Sequence, residues 1–290
     1  MVGADSALIV ISQGSNRDGL DWMEAARAEG LRYAVISQAA NEQWWPDDVL
    51  ARRLMNGYSS ACRAYFVSQA NLELTRYQCA MPLPHGRVIR NPFNVRYDAN
   101  PPWPVGDGDA LSLGCVARLD TRQKGQDLLI QVLARPHWRV RNIRVTLAGS
   151  GFHEHALRAM VERLGVKNIE FAGFVEDVEA FWSQHHALVL PSRYEGMPLA
   201  LVEAMLCHRA CVVTDVASHR ELVHDNTNGF LAKAPTMDLL DEAMNRAWEN
   251  RHRLQEMGEV AARDVRQWVS SDPTGDFVRE LESLIDGSNS

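Results

Sequence analysis

Short apolar, β-branched runs alternate with amphipathic stretches along almost the whole chain. ALIVIS (7–12), YAVIS (33–37), AYFVS (64–68) and RVIR (87–90) are hydrophobic segments of strand length. Between them, 19–29, 47–59 and 70–78 space their apolar residues at three and four, which predicts helices. The Asp47-Asp48 pair and Asn71 fall near the helix starts, where such side chains suit caps and the helix dipole. The run NPFNVRYDANPPWPVGDGD (91–109) breaks the alternation, and its prolines and glycines predict a linker or domain junction. Alternation then resumes. LSLGCVA (111–117), IRVTLA (143–148), IEFAG (169–173), ALVLP (187–191) and CVVTD (211–215) predict strands, with helices at 125–134, 153–164, 176–185, 198–208 and 236–250. The tail 251–290 is polar with helical spacing and is expected to fray at its closing GSNS. Strands apolar along their whole length, joined by helices, belong to parallel sheets covered on both faces. Two such blocks predict an α/β chain of two Rossmann-like, doubly wound parallel-sheet domains, whose ligands bind beyond the carboxyl ends of the strands.

Length and composition narrow the function. At 290 residues two domains are expected, and 46% hydrophobic with 23% charged residues is an ordinary globular balance. A net charge of −7 gives no sign of a general nucleic-acid binder. Five cysteines, odd in number and without a CxxC pair, read as buried reduced thiols and imply a cytosolic compartment. Cys207-His208-x-x-Cys211 spans a helix end and the following strand with no second ligand pair, so it is not read as a metal site. The N-terminus shows no signal-peptide pattern, and no stretch approaches the ~20 apolar residues of a membrane span.

The carboxyl-end rule selects three loops of the second block. ARLDTRQKGQD places Arg118 and Lys124 six apart before a helix, GSG (149–151) opens another helix, and PSRYEGMP opens a third. Two cations, a glycine-rich turn and helix N-termini on one side of one sheet suit a ligand carrying phosphates. GSGFHE departs from the dinucleotide fingerprint, because Glu154 stands where the third glycine belongs, which weighs against a nicotinamide oxidoreductase. RYEGMPLALVEAM (193–205) carries two glutamates eight apart, Glu195 before a Gly-Met-Pro turn and Glu203 among Leu201, Val202, Ala204 and Met205. A carboxylate in such an apolar stretch is either turned to solvent or buried and hydrogen-bonded. In the second case Glu203, near the positive end of its helix, can accept from a vicinal diol such as that of a ribose.

Residues 111–232 resemble the donor-binding domain of the retaining family-4 glycosyltransferases, which have the two-domain GT-B fold. The matching segments are GCVARLDTRQKGQDLLIQVL, RVTLAGSGFHEHAL, IEFAGFVEDVEAFWSQHHALVLPSRYEGMPLALVEAM and CVVTDVASHRELVHDNTNGFLA. The resemblance implies a metal-independent, retaining transfer of a sugar from a nucleotide sugar to an unidentified glycan, lipid or small-molecule acceptor. It implies that Glu203 binds the ribose hydroxyls, and that Glu195 lies by the transferred sugar with Gly196, Met197, Pro198 and Leu199 beside sugar and diphosphate. It implies that Arg118 and Lys124 grip the diphosphate, with Gly149 and Gly151 in the phosphate loop, and that backbone around Gly173 and Phe174 contacts the base. No metal and no cofactor are expected.

Three departures qualify the expectation. Ala217-Ser218 stand where the family often has glycines, and Gln38 stands where it commonly has a histidine. Trp44 and Trp45 either pack under a loop or form a sugar platform. The first block, 1–106, is shorter than the family's acceptor-side domain and resembles its second half. The expected organisation is therefore a partial acceptor-side domain (1–106), a donor domain (107–270) and a C-terminal helix (271–290) crossing back to the first. An incomplete first sheet predicts self-association or a partner chain through residues 1–100. A cytosolic protein, peripheral at the inner membrane face if Arg135, Arg139, Arg141 and Arg144 around Trp138 meet anionic lipid, completes the reading. A donor-binding module without catalysis, or an epimerase of the same fold, are the competing functions.

Overall fold

The computed structural model describes residues 7–105 and 110–286. The closing GSNS and the expected boundary at 106/107 lie outside the described residues. The described chain divides into two compact units. One holds the residues up to Pro92 with Tyr194–Met197 and the segment from Ser270, and the other holds the rest from Phe93 to Val269.

The first unit is a four-stranded parallel sheet of β1 (Ile9–Gln13), β2 (Tyr33–Ser37), β3 (Arg63–Phe66) and β4 (Gly86–Val88), in that order. Alternate residues of a strand face opposite sides, and the two sides bury different partners. Tyr33, Val35 and Phe66 pack with Leu54, Tyr58 and Leu72 from helices Asp48–Ser60 and Gln69–Cys79. Ala34, Ile36 and Tyr65 pack with Leu284, Phe277 and Leu281 from helix Pro273–Ile285. The Phe277 ring meets Tyr65 edge-on with centroids 5.3 Å apart, and Arg32 donates to the Leu284 carbonyl at 2.6 Å. Asp47 caps its helix by accepting from the Leu50 N–H at 2.8 Å. At the next helix Ser68 is the cap, its hydroxyl accepting from the N–H of Asn71 at 3.2 Å, so Asn71 sits inside the first turn rather than at the cap.

The second unit is a six-stranded parallel sheet in the order β10-β9-β8-β5-β6-β7. Its strands are β5 (Leu111–Val116), β6 (Ile143–Ala148), β7 (Ile169–Gly173), β8 (Ala187–Leu190), β9 (Ala210–Thr214) and β10 (Gly229–Ala232). The sixth strand is not among the runs read as strands from apolar content, because GFLA is short and follows a turn-rich HDNTN. It forms by pairing with β9, and a Cβ at Gly229 would lie 2.3 Å from the Cys211 carbonyl oxygen. The proline-rich run differs from a free linker. Proline offers a carbonyl acceptor but no N–H, and here Pro101 and Pro102 accept from the buried guanidinium of Arg209 at 3.3 and 2.7 Å. Arg209 also stacks over Trp103 at 5.1 Å, and Arg96 holds Glu179 at 2.9 Å. The segment 93–105 is thus part of the second unit.

The arginines around Trp138 are largely engaged within this unit. Arg135 pairs with Asp241 at 2.5 Å, Arg139 donates to the Leu164 carbonyl at 2.6 Å, and Arg141 stacks over Trp138 at 4.4 Å. No helix among the described residues is long and apolar enough to cross a membrane.

Candidate functional site

The strand ends of the second unit fold into loops that are locked to one another. Beyond β5 the short helix Thr121–Lys124 is capped by Asp120 and ends at Gly125, whose φ of 66° lies in the left-handed region. Any side chain at 125 would also strike the Pro191 carbonyl, since a Cβ there falls 2.0 Å from that oxygen. Gly149 (φ 135°) and Gly151 approach the same loop, with Cβ positions 2.2 Å from the Ala117 oxygen and 2.5 Å from the Leu119 oxygen. Leu119 N–H donates to the Ser150 carbonyl at 3.0 Å, and His153 accepts from the Thr121 N–H at 3.0 Å. Glycine is required at these points because backbone meets backbone.

Arg118 emerges between these contacts. Its side chain is exposed, donating to Gln123 at 2.8 Å, while its carbonyl accepts from Gln126 at 2.7 Å. Lys124 is half-buried at the end of the same loop. The structure therefore brings Arg118, Lys124, Gly149 and Gly151 to one strand-end surface. Arg193, also in these loops, is not an available cation. It holds Asp127 with two bonds of 2.7 and 2.8 Å and fixes the loop instead. Gly173, with φ 71°, is tied to this surface because its carbonyl accepts from the Gly149 N–H at 2.6 Å, and the next residue, Phe174, is 77% exposed.

Glu203 is buried at 4% exposure in helix Leu199–Leu206, which follows Pro198. Its Oε1 accepts from both the N–H and the side-chain amide of Asn94, each at 2.9 Å. Among the described residues Oε2 accepts no hydrogen bond. Burial pushes its carboxyl above the ordinary range, against the opposing pull of the Asn94 donors. Reading the sequence passed over Asn94, which lay inside the proline-rich run. The signal was indirect, since a buried carboxylate requires donors and Asn94 is one of few amides in that run.

The stretch RYEGMPLALVEAM is divided in the fold. Pro198 onward belongs to the second unit, but Tyr194–Met197 belongs to the first. Glu195 is 3% exposed there. A Cβ at Gly196 would lie 1.7 Å from the Gln38 carbonyl oxygen, and Met197 accepts from the Asn91 N–H at 3.1 Å through its sulfur. Gln38 in turn accepts from the Asn91 amide at 2.7 Å. Of the two tryptophans, Trp44 packs edge-on against Tyr194 with centroids 5.1 Å apart, whereas Trp45 is exposed. In the loop beyond β9, Ala217 takes φ 46°, a left-handed conformation that glycine adopts without strain.

Known proteins resemble this region in sequence and the described chain in fold. Residues 110–250 match the family described as Glycosyl transferases group 1. The putative glycosyltransferase EpsD of Bacillus subtilis (strain 168) is 32% identical over 111 residues, 38% of this chain and 29% of EpsD. The Escherichia coli O-antigen biosynthesis glycosyltransferase WclY is 29% identical over 149 residues, 51% of this chain and 40% of WclY. The alignments thus span less than half of these curated relatives. The crystal structure of Anabaena Alr3699/HepE in complex with UDP superposes with a TM-score of 0.77 at 20% identity, covering 95% of this chain and 79% of that one.

Proposed function

We propose that the chain, whose residues 110–250 match the family described as Glycosyl transferases group 1, transfers a sugar from a nucleotide sugar to an acceptor with retention of configuration. The observation that carries this reading is the carboxylate of Glu203, held at one oxygen by Asn94 with the other taking no hydrogen bond. A buried carboxylate with one engaged and one open oxygen suits the paired hydroxyls of a ribose. Arg118 and Lys124 then meet the diphosphate, glycines 149 and 151 let backbone N–H groups approach it, and the start of helix Leu199–Leu206 adds its dipole. The base lies by Gly173 and Phe174.

The chemistry is that of leaving-group stabilisation. As the bond from the anomeric carbon to the diphosphate lengthens, negative charge grows on the leaving oxygens and positive charge on the sugar. Fixed cations stabilise that charge more in the transition state than in the ground state. Two cations beside the diphosphate make a metal ion unnecessary. The relatives' names suit a nucleotide-sugar donor, and HepE was solved with UDP.

The test is calorimetric titration of the chain with UDP and other nucleoside diphosphates, with and without a chelator. The expected result is saturable binding, unchanged by the chelator and lost in Glu203→Ala. Binding that survives Glu203→Ala, or that disappears with the chelator, contradicts the reading. Retention is read from the anomeric proton coupling of the transferred sugar by NMR.

A further inference from the structure

The carboxyl ends of the first unit's strands carry polar groups that the donor site leaves unused. Arg17 lies in the loop after β1, with its guanidinium carbon 5.2 Å from the centroid of the Trp44 ring. Its Nε is buried and has no hydrogen-bond partner. No carboxylate among the described residues pairs with it. The neighbouring Asp18 instead accepts from the Ser15 N–H at 2.6 Å. Other arginines of the chain, such as Arg53, Arg96, Arg158 and Arg220, each hold a carboxylate. An arginine fixed against an aromatic ring and paired with no carboxylate, its neighbour Asp18 being turned to the Ser15 N–H, suits an anionic ligand.

A second group at the strand ends of this unit is Asn71, buried in the first turn of helix Gln69–Cys79. It is 1% exposed, and its side-chain amide nitrogen has no partner. A buried donor left unsatisfied costs about 1–3 kcal/mol, a cost that a hydrogen-bonded ligand would relieve. The two loops are stitched together beneath it. Asn16 donates to Thr75 at 2.9 Å and Gln78 at 2.7 Å, and Thr75 donates to the carbonyl of Asn71 at 2.9 Å. Trp44 packs on Tyr194, next to Glu195, on this unit's own segment.

We propose that the strand-end surface of the first unit recognises an acceptor sugar that carries an acidic group, bound by Arg17 on Trp44 with Asn71 as a further donor. The inference rests on the glycosyltransferase reading and names the class of its acceptor. The acid is a carboxylate or a phosphate, both of which match the guanidinium fork.

The experiment is ligand-observed NMR titration of the whole chain with three probes, namely methyl glucuronide, glucose 6-phosphate and the neutral methyl glucoside. The expected result is that at least one acidic probe binds about tenfold more tightly than methyl glucoside, the span of a charge-assisted bond. The tighter of the two acids identifies carboxylate or phosphate. In Arg17→Gln the preference for acid disappears while nucleoside diphosphate binding and the melting temperature stay at wild-type values. Asn71→Asp, which places a like charge beside the ligand, weakens the acidic probes and not the neutral one. Equal binding of acidic and neutral probes by the wild type, or a preference that survives Arg17→Gln, overturns the proposal. Failure of the wild type to bind any nucleoside diphosphate instead removes the functional reading on which it stands.

Discussion

At the residue scale the proposed chemistry turns on three side chains. Glu203 has its carboxyl raised by burial, so in the folded protein it keeps its proton to higher pH than an exposed glutamate does. The sign for stability follows. A raised carboxylate makes the fold less stable above the unfolded-state value, and that cost is relieved as pH falls through the folded one. Ligand binding runs the other way, because the open oxygen must accept. Nucleoside diphosphate affinity is therefore expected to fall with decreasing pH at values above the ordinary carboxylate range. Glu203→Gln, which cannot titrate, should lose roughly tenfold or more in affinity and this pH dependence with it. Calorimetry across a pH series checks both, and an unchanged profile in the variant would assign the titration elsewhere. Arg118→Ala and Lys124→Ala should each leave the fold intact and remove about 3–4 kcal/mol of transition-state stabilisation, read as kcat/KM for transfer. Wild-type kinetics in either variant would take that residue out of the site.

At the element scale, local backbone demands separate from packing demands. Gly125, Gly149 and Gly196 are fixed by carbonyl oxygens that stand 2.0, 2.2 and 1.7 Å from where a Cβ would be. Ala217 departs from this economy, since a left-handed alanine costs about 1–2 kcal/mol. Ala217→Gly is expected to be neutral or to raise stability by up to about 1 kcal/mol after glycine's own entropy is charged. Chemical denaturation reads the difference, and clear destabilisation would mean the methyl group packs usefully. Helix Pro273–Ile285 is held by a narrow apolar stripe, with Leu284 buried and Phe277 on Tyr65. Leu284→Ala should cost about 2–5 kcal/mol, seen as a lower melting temperature and faster proteolysis of the C-terminal segment.

At the scale of the molecule, β1 is an edge strand among the described residues, and its Ile9 and Val10 are each 40% exposed. An edge with unpaired backbone groups and exposed β-branched side chains templates pairing with another strand. The chain is therefore expected to self-associate as concentration rises, and Val10→Lys, which places a charge on that edge, should shift it toward monomer. Light scattering over a concentration series measures this. A monodisperse wild type at high concentration would show that the edge is protected.

The sequence by itself determined the element types, the parallel character of both sheets and the identity of the strand-end loops. Each of these follows from local information, namely hydrophobic period, breakers and the spacing of Arg118, Lys124, Glu195 and Glu203. Short β10 escaped because its strand character comes from pairing with β9 and not from its own composition. The proline-rich run does hold the junction, between Pro92 and Phe93, but its residues 93–105 fold with the second unit, where the Pro101 and Pro102 carbonyls accept from buried Arg209. Only tertiary structure decided that Glu203 is buried and met by Asn94, that Arg193 is spent on Asp127, and that residues 194–197 belong to a different unit from Glu203. Those outcomes depend on which groups meet across more than sixty residues of chain, as Asn94 and Glu203 do, and no local pattern encodes a partner at that distance.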